Sequence, residues 1–217
     1  MTKAEENYLK TIYHLSANGT NSATTNAIAE MVETKASSVT DMLKKLSEKN
    51  LIVYKKYQAV ILTDEGRYHA KMIIRKHRLW EVFLVDKLGF TWDEVHDVAE
   101  QLEHIHSPKL IDRLDDFLGN PTKDPHGDPI PDAQGHIVKI EKQLLSELEP
   151  GDSGICVGVK DSSTDFLQYL DRSSIALGSE IRVNGREPFD RSLQLSINGK
   201  QHIVSGKIAD NLFVRKV

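Results

Sequence analysis

The apolar residues of the first fifty positions recur at helical spacing, and beyond Asn50 that spacing gives way to strand-forming runs. Tyr8, Leu9, Ile12 and Tyr13 stand at i, i+1, i+4 and i+5, one stripe of a helix that Asn18-Gly19 stops. A short helix is expected from about Thr25, with Ala27, Ile28, Met31 and Val32 facing inward. Thr34-Lys35-Ala36 is a tight connection to a third helix, for which Ser37 or Ser38 is the expected N-cap and Val39, Leu43 and Leu46 the inner face. Leu51-Ile52-Val53-Tyr54 and Ala59-Val60-Ile61-Leu62 flank Lys55-Lys56-Tyr57-Gln58, a β-hairpin pattern. Two short helices, a tight turn and a lysine-bearing hairpin together make a winged helix-turn-helix.

Thr63-Asp64-Glu65 caps a long helix expected to run to about Lys87. Thr91-Trp92-Asp93-Glu94 has the residue pattern of a capping box and opens a helix to about His106. Ser107-Pro108 starts another, which ends at Gly119-Asn120-Pro121. Residues 120–135 hold four prolines and two glycines and read as an irregular loop. A last helix is expected from Ile137 to Leu148, and Glu149-Pro150-Gly151-Asp152 is a turn signal. Short strand-like runs follow at Gly154–Val159, Glu180–Val183, Leu193–Ile197, His202–Val204 and Leu212–Val214, the pattern of a small β-barrel. The expected chain is mostly α with small β parts. Its domains are a winged helix-turn-helix over 1–74, a helical domain over 75–140 and a small β domain over 141–217.

The formal charge of −4 over 217 residues hides a strong asymmetry. Residues 1–76 carry 12 Lys/Arg against 8 Asp/Glu, residues 77–150 carry 7 against 16, and residues 151–217 carry 9 against 8. The middle block also holds six of the nine histidines. A basic start suits a polyanion, and an acidic, His-rich middle suits a cation. The single cysteine, Cys156, allows no intrachain disulfide, and no apolar run is long enough to span a membrane, so a reducing cytoplasm is expected.

In a winged helix-turn-helix the N-terminal residues of the second helix enter the major groove. Here those are Lys35, Ser37, Ser38, Thr40 and Asp41, with Lys44 one turn later and Lys55 and Lys56 on the wing. Hydroxyls bond phosphates or base edges, and lysines add sequence-independent attraction. The expected partner is double-stranded DNA.

His96, Glu100, Glu103 and His104 fall at i, i+4, i+7 and i+8, one stripe of a helix. The long helix before it carries His77 and Glu81, also at i, i+4. A lone stripe of this kind is usually a solvated face. Two such stripes packed together would bury carboxylates and imidazoles at high cost without a cation. Glutamate and histidine with no nearby cysteine suit Mn²⁺ or Fe²⁺, six-coordinate ions, over a tetrahedral zinc site.

The run Arg75-Lys76-His77-Arg78-Leu79 with Glu81, then Val95-His96-Asp97 and Glu103-His104, resembles the diphtheria-toxin-repressor family of metal-dependent regulators. Asp124-Pro125-His126-Gly127-Asp128-Pro129-Ile130-Pro131 looks like that family's linker, and Leu148-Glu149-Pro150-Gly151-Asp152-Ser153-Gly154 like the start of its SH3-like C-terminal domain. The resemblance implies a homodimeric repressor of metal-uptake genes that binds a palindromic operator when metallated, with two sites per subunit. By position, the primary site would be Asn7, Glu100, Glu103 and His104, and the second His77, Glu81 and His96. In some members the loop and the SH3-like domain also reach the second site, which here brings in Asp124, His126 and Asp165. Glu100 stands where iron-type members carry cysteine and points to the manganese branch. Asn7 matches neither the methionine of iron-type members nor the aspartate of manganese-type ones. Lys10 falls where short manganese regulators carry a further carboxylate. Two other classes compete: a metal-dependent hydrolase using the Glu/His cluster, and a winged-helix regulator answering to a non-metal ligand.

Overall fold

The computed structural model describes residues 1–55 and 58–217, which form two compact units. The first unit comprises Met1–Trp80, Ala99–Arg113 and Pro131–Ile137. It begins with three helices, α1 (Lys3–Leu15), α2 (Thr25–Met31) and α3 (Ala36–Glu48). Thr2 and Glu5 close a capping box on α1, and Thr24 caps α2. Tyr8, Leu9, Ile12 and Tyr13 all face the core, as do Val39, Leu43 and Leu46 of α3. These seven side chains pack with Ile28, Val60, Leu62, Ile73 and Ile74 in one cluster. Two expectations fail locally. Lys35, not a serine, precedes α3 and makes no side-chain cap bond, so Ser37 and Ser38 lie inside the helix with exposed side chains. Met31 is 56% exposed rather than inward, because the chain leaves α2 at Val32 and Ile28 alone of that helix is fully buried.

β1 (Ile52–Val53) and β2 (Ile61–Leu62) pair antiparallel as the base of the hairpin. Tyr57 and Lys56 lie outside the described residues. Helix α4 (Asp64–Leu88) starts where Thr63 Oγ1 accepts the Gly66 N–H at 3.0 Å. Its residues to Trp80 belong to the first unit and those from Glu81 to the second.

The second unit comprises Glu81–Val98, Leu114–Ile130 and Val138–Val217. Helix α5 spans only Val95–Leu102, and α6 spans Pro108–Phe117. The expected α5 reached His106; instead Glu103 and His104 sit in the turn that follows it. The helix expected over 137–148 is absent from the described residues. Gln143–Leu144 form a strand, β3, and Leu145–Glu147 a single 3₁₀ turn. The apolar spacing there suits either structure, and pairing with the last strand decides it. The sheet continues with β4 (Ser153–Val159), β5 (Glu180–Arg186), β6 (Leu193–Ile197), β7 (Lys200–Val204) and β8 (Leu212–Lys216), in the order β3-β8-β4-β5-β6-β7. Two helices interrupt it, α7 (Thr164–Arg172) and the short α8 (Gly206–Ala209). Phe166, Leu167 and Leu170 of α7 join the buried faces of the strands in one core, with Trp92 packed against it.

Candidate metal centres

The first unit gathers a polar cluster around Glu103, which is fully buried. His77 Nδ1 lies 2.6 Å from its Oε2. The Lys10 ammonium lies 2.8 Å from Oε1, 2.7 Å from Oε2 and 2.8 Å from Glu100 Oε2. Burial pushes the Glu103 carboxyl up, but the His77 hydrogen bond and the Lys10 charge outweigh it and hold the group below the ordinary glutamate range.

His104 approaches from the turn after α5. Its Nδ1 is 2.5 Å from Glu6 Oε2. The carboxylate of Glu6 accepts that proton, which leaves His104 Nε2 as the bare nitrogen, buried and 3.7 Å from Glu103 Oε1. Asn7 Oδ1, one residue after Glu6 on α1, is also buried, and neither atom has a hydrogen-bond partner among the described residues. A buried acceptor without a partner costs about 1–3 kcal/mol. A carbonyl oxygen and an imidazole nitrogen are both donors to a divalent cation, and the Glu6 carboxylate supplies the outer support that metal-binding histidines usually have.

The second unit builds its own cluster on the loop after α6. Asp124 Oδ1 accepts the backbone N–H of His126 at 2.8 Å and of Asp128 at 3.0 Å, an Asx-type turn. Gly127 completes it at φ +88°. The His126 carbonyl then accepts the Val159 N–H at 3.1 Å, fixing the loop to β4. Both Asp124 and His126 are thereby buried, with Glu81 of α4. Donor atoms of Glu81, Asp124 and His126 all lie within 4.8 Å of one another. His126 Nε2 is 2.8 Å from the Trp92 carbonyl oxygen, which can only accept, so Nε2 carries the proton. Nδ1 faces Glu81 Oε1 at 3.8 Å and Asp124 Oδ1 at 4.0 Å. Burial lowers the affinity of His126 for a second proton, but Glu81, Asp124 and the Trp92 carbonyl more than reverse this and raise its pKa. The Trp92 ring stacks on His126 at 6.2 Å between centroids and donates its indole N–H to Asp171 of α7 at 3.1 Å.

Three family models match the chain. "Iron dependent repressor, N-terminal DNA binding domain" covers residues 1–60, "Iron dependent repressor, metal binding and dimerisation domain" covers 63–132, and "FeoA domain" covers 143–216. The diphtheria toxin repressor of Corynebacterium diphtheriae is 31% identical over 218 residues, spanning 90% of this chain and 89% of that protein. The iron-dependent repressor IdeR of Mycobacterium leprae is 38% identical over 175 residues, 76% of this chain and 74% of that one. The chain belongs to the diphtheria-toxin-repressor family. Among solved structures, a manganese-dependent transcriptional repressor in complex with manganese superposes with a TM-score of 0.87 at 35% identity, covering 98% of this chain and 100% of that one. The β domain is therefore the family's SH3-like FeoA domain, and the first helices are its DNA-binding domain.

Of the residues expected to form the family's primary site, the first unit brings together Glu100 and Glu103 around Lys10, places His104 beside Glu103, and encloses the Oδ1 of the half-buried Asn7. Of the second set, His77 lies against Glu103, and Glu81 lies 3.7 Å from His96. The His96 side chain is 56% exposed. Asp124 and His126 join Glu81, whereas Asp165 is exposed in the first turn of α7, outside that cluster. On the DNA-binding domain, Lys35, Ser37, Ser38, Asp41, Lys44 and Lys55 are exposed. Thr40 turns its hydroxyl back to the Ala36 carbonyl at 2.9 Å, and Lys44 pairs with Asp41 at 3.1 Å. Lys56 lies outside the described residues. Sequence reasoning missed Glu6 and the role of Lys10, although the two stand at i, i+4 on α1 on either side of Asn7. The Trp92 carbonyl carried no sequence signal, because a backbone acceptor shows only in the fold.

Proposed function

We propose that the protein is a metal-activated transcription repressor that binds a palindromic operator as a homodimer when Mn²⁺ or Fe²⁺ fills two sites per subunit. The observation that carries this reading is the pair of buried acceptors with no partner among the described residues, Asn7 Oδ1 and His104 Nε2. One belongs to the segment matched by the DNA-binding model and the other to the segment matched by the metal-binding and dimerisation model. Asn7, Glu100, Glu103 and His104 would hold the first ion. Glu81, Asp124 and His126 would hold the second, with His77, His96 and Asp165 as the further ligands that the family resemblance implies. A bound divalent cation supplies the positive charge that neutral and anionic donors can share. Glu6 and the Trp92 carbonyl each hold one histidine in the tautomer that leaves a nitrogen bare for it.

The consequence for DNA follows from Asn7 being on α1. Tying α1 to the turn after α5 narrows the orientations open to the DNA-binding domain, so that α3 and its partner's copy match the half-site spacing. Lys35, Ser37, Ser38, Thr40 and Asp41 would then meet the major groove, with Lys44, Lys55 and Lys56 on flanking phosphates. No cysteine contributes to either cluster, which suits Mn²⁺ or Fe²⁺ over softer ions. The relatives are named as repressors, which favours this reading over a hydrolase or a regulator of an organic ligand. Among the described residues no helix is long and apolar enough to cross a membrane.

Equilibrium dialysis of the chelator-stripped protein against Mn²⁺ checks the site assignment. About two ions per chain are expected, falling by one in His126→Ala. A wild-type protein that binds no Mn²⁺ and no Fe²⁺ would refute it.

A further inference from the structure

We infer that Lys10 is the resident counter-ion of the first centre and that its ammonium must leave Glu100 and Glu103 before a divalent cation can join them. Lys10 thereby sets the metal concentration at which that centre fills. The inference rests on the reading of this cluster as a metal site.

The geometry is that of an occupied cation position. An ammonium has three N–H donors, and three carboxylate oxygens surround this one at 2.7–2.8 Å: Glu100 Oε2 and both oxygens of Glu103. The Lys10 side chain is only 14% exposed and the Glu103 side chain is fully enclosed, so solvent screens the contact little. These are the oxygens that Glu100 and Glu103 would offer to metal. A divalent ion and an ammonium cannot share them, because two like charges a few ångströms apart in a half-buried site repel strongly. Without Lys10, the metal-free protein would hold two adjacent carboxylates, one of them fully buried. With it, the pair is stable but guarded.

The position on α1 makes the guard a switch. Lys10 follows Asn7 by three residues, so the two side chains share one face of the helix. In the metal-free state α1 is tied to the turn after α5 through the Lys10 ammonium. When the centre fills, Lys10 swings its flexible stem to solvent and Asn7 Oδ1 takes over the tie. One cation replaces another, no covalent bond changes, and the released ammonium is rehydrated.

Lys10→Met keeps most of the apolar stem and removes the charge. In a His126→Ala background, where the second centre is disabled, equilibrium dialysis with Mn²⁺ isolates the first. Lys10→Met is expected to raise the Mn²⁺ affinity of that centre by roughly ten-fold or more, since like charges placed side by side are strongly disfavoured. The metal-free variant should also melt at a lower temperature. Unchanged or weaker affinity in the folded variant would overturn the inference. A variant that does not fold without metal leaves a second measurement on the wild type, ¹⁵N spectra of the lysine ammonium groups during titration with diamagnetic Cd²⁺. The Lys10 signal should be sharp and protected without metal and be lost as the first centre fills. Its persistence at saturation would overturn the inference while leaving the metal site intact. If neither Lys10→Met nor wild type binds metal at this centre, the metal-site reading itself fails.

Discussion

Gly127→Ala is expected to empty the second centre while leaving the first able to bind. Gly127 sits at φ +88°, a region that costs an alanine roughly 1–2 kcal/mol. A methyl group there would also press into the Val157 carbonyl and lie 2.7 Å from Gly158 Cα. Both obstacles are backbone of β4, which its pairing with β8 at Gly158 and Val159 holds in the sheet. Relief must come from the loop. The loop carries Asp124 and His126, and its hold on β4 is the bond from the Val159 N–H to the His126 carbonyl. Lifting it withdraws two of the three buried donors and breaks the Trp92 bond that fixes the His126 tautomer. Bound Mn²⁺ should drop by one ion per chain, and the metal-dependent rise in melting temperature should shrink. Two tightly bound ions in Gly127→Ala would show that the loop does not contribute the ligands assigned to it.

Glu103→Ala carries the larger effect on the first unit. The side chain is fully buried, and its removal strips partners from His77 and Lys10 at once. Breaking a buried ion pair by deleting one member typically costs about 3–5 kcal/mol, because the other charge is left uncompensated. The metal-free variant should therefore unfold at markedly lower denaturant concentration, and added Mn²⁺ should not restore it at the first centre. Part of that loss comes from the Lys10 ammonium, which is left with Glu100 alone. Lys10→Met/Glu103→Ala should recover part of the stability and none of the metal binding, and urea unfolding of the four proteins resolves the two contributions. Additive losses would mean that Lys10 and Glu103 are not coupled, contrary to the 2.7 Å contact.

The fold was legible where a single apolar face decides it. The α1 stripe and the Val39, Leu43, Leu46 face of α3 are buried as their spacing requires. The hairpin, α4, α6 and the later strands also follow local signals. Residues 137–148 mislead because their leucines suit a helix as well as a strand, and the pairing of β3 with β8 lies some seventy residues away in sequence. Helix α7 was readable in Phe166, Leu167 and Leu170, but the surrounding strand-like runs hid it. Residue types and spacing singled out His77, Glu81, His96, Glu100, Glu103 and His104 as candidate donors, and the family resemblance added Asn7, Asp124 and His126. Their grouping was not legible, because it depends on where α5 stops and on the Asx turn that carries His126 inward. The resident ammonium is least legible of all: a lysine where a ligand was sought reads as a loss, and only the three short contacts reveal it as a stand-in for the ion.

In the proposed mechanism, metal binding and DNA binding are coupled through α1. Fluorescence anisotropy of the chelator-stripped protein on its own promoter DNA, with Mn²⁺, anaerobic Fe²⁺ and Zn²⁺ titrated separately, tests it most directly. Weak binding without metal is expected, with tightening on the order of ten-fold to a hundred-fold in Mn²⁺ or Fe²⁺ that is lost in Glu103→Ala. Operator binding that is equally tight with and without metal, or a Glu103→Ala protein that responds like the wild type, would contradict it.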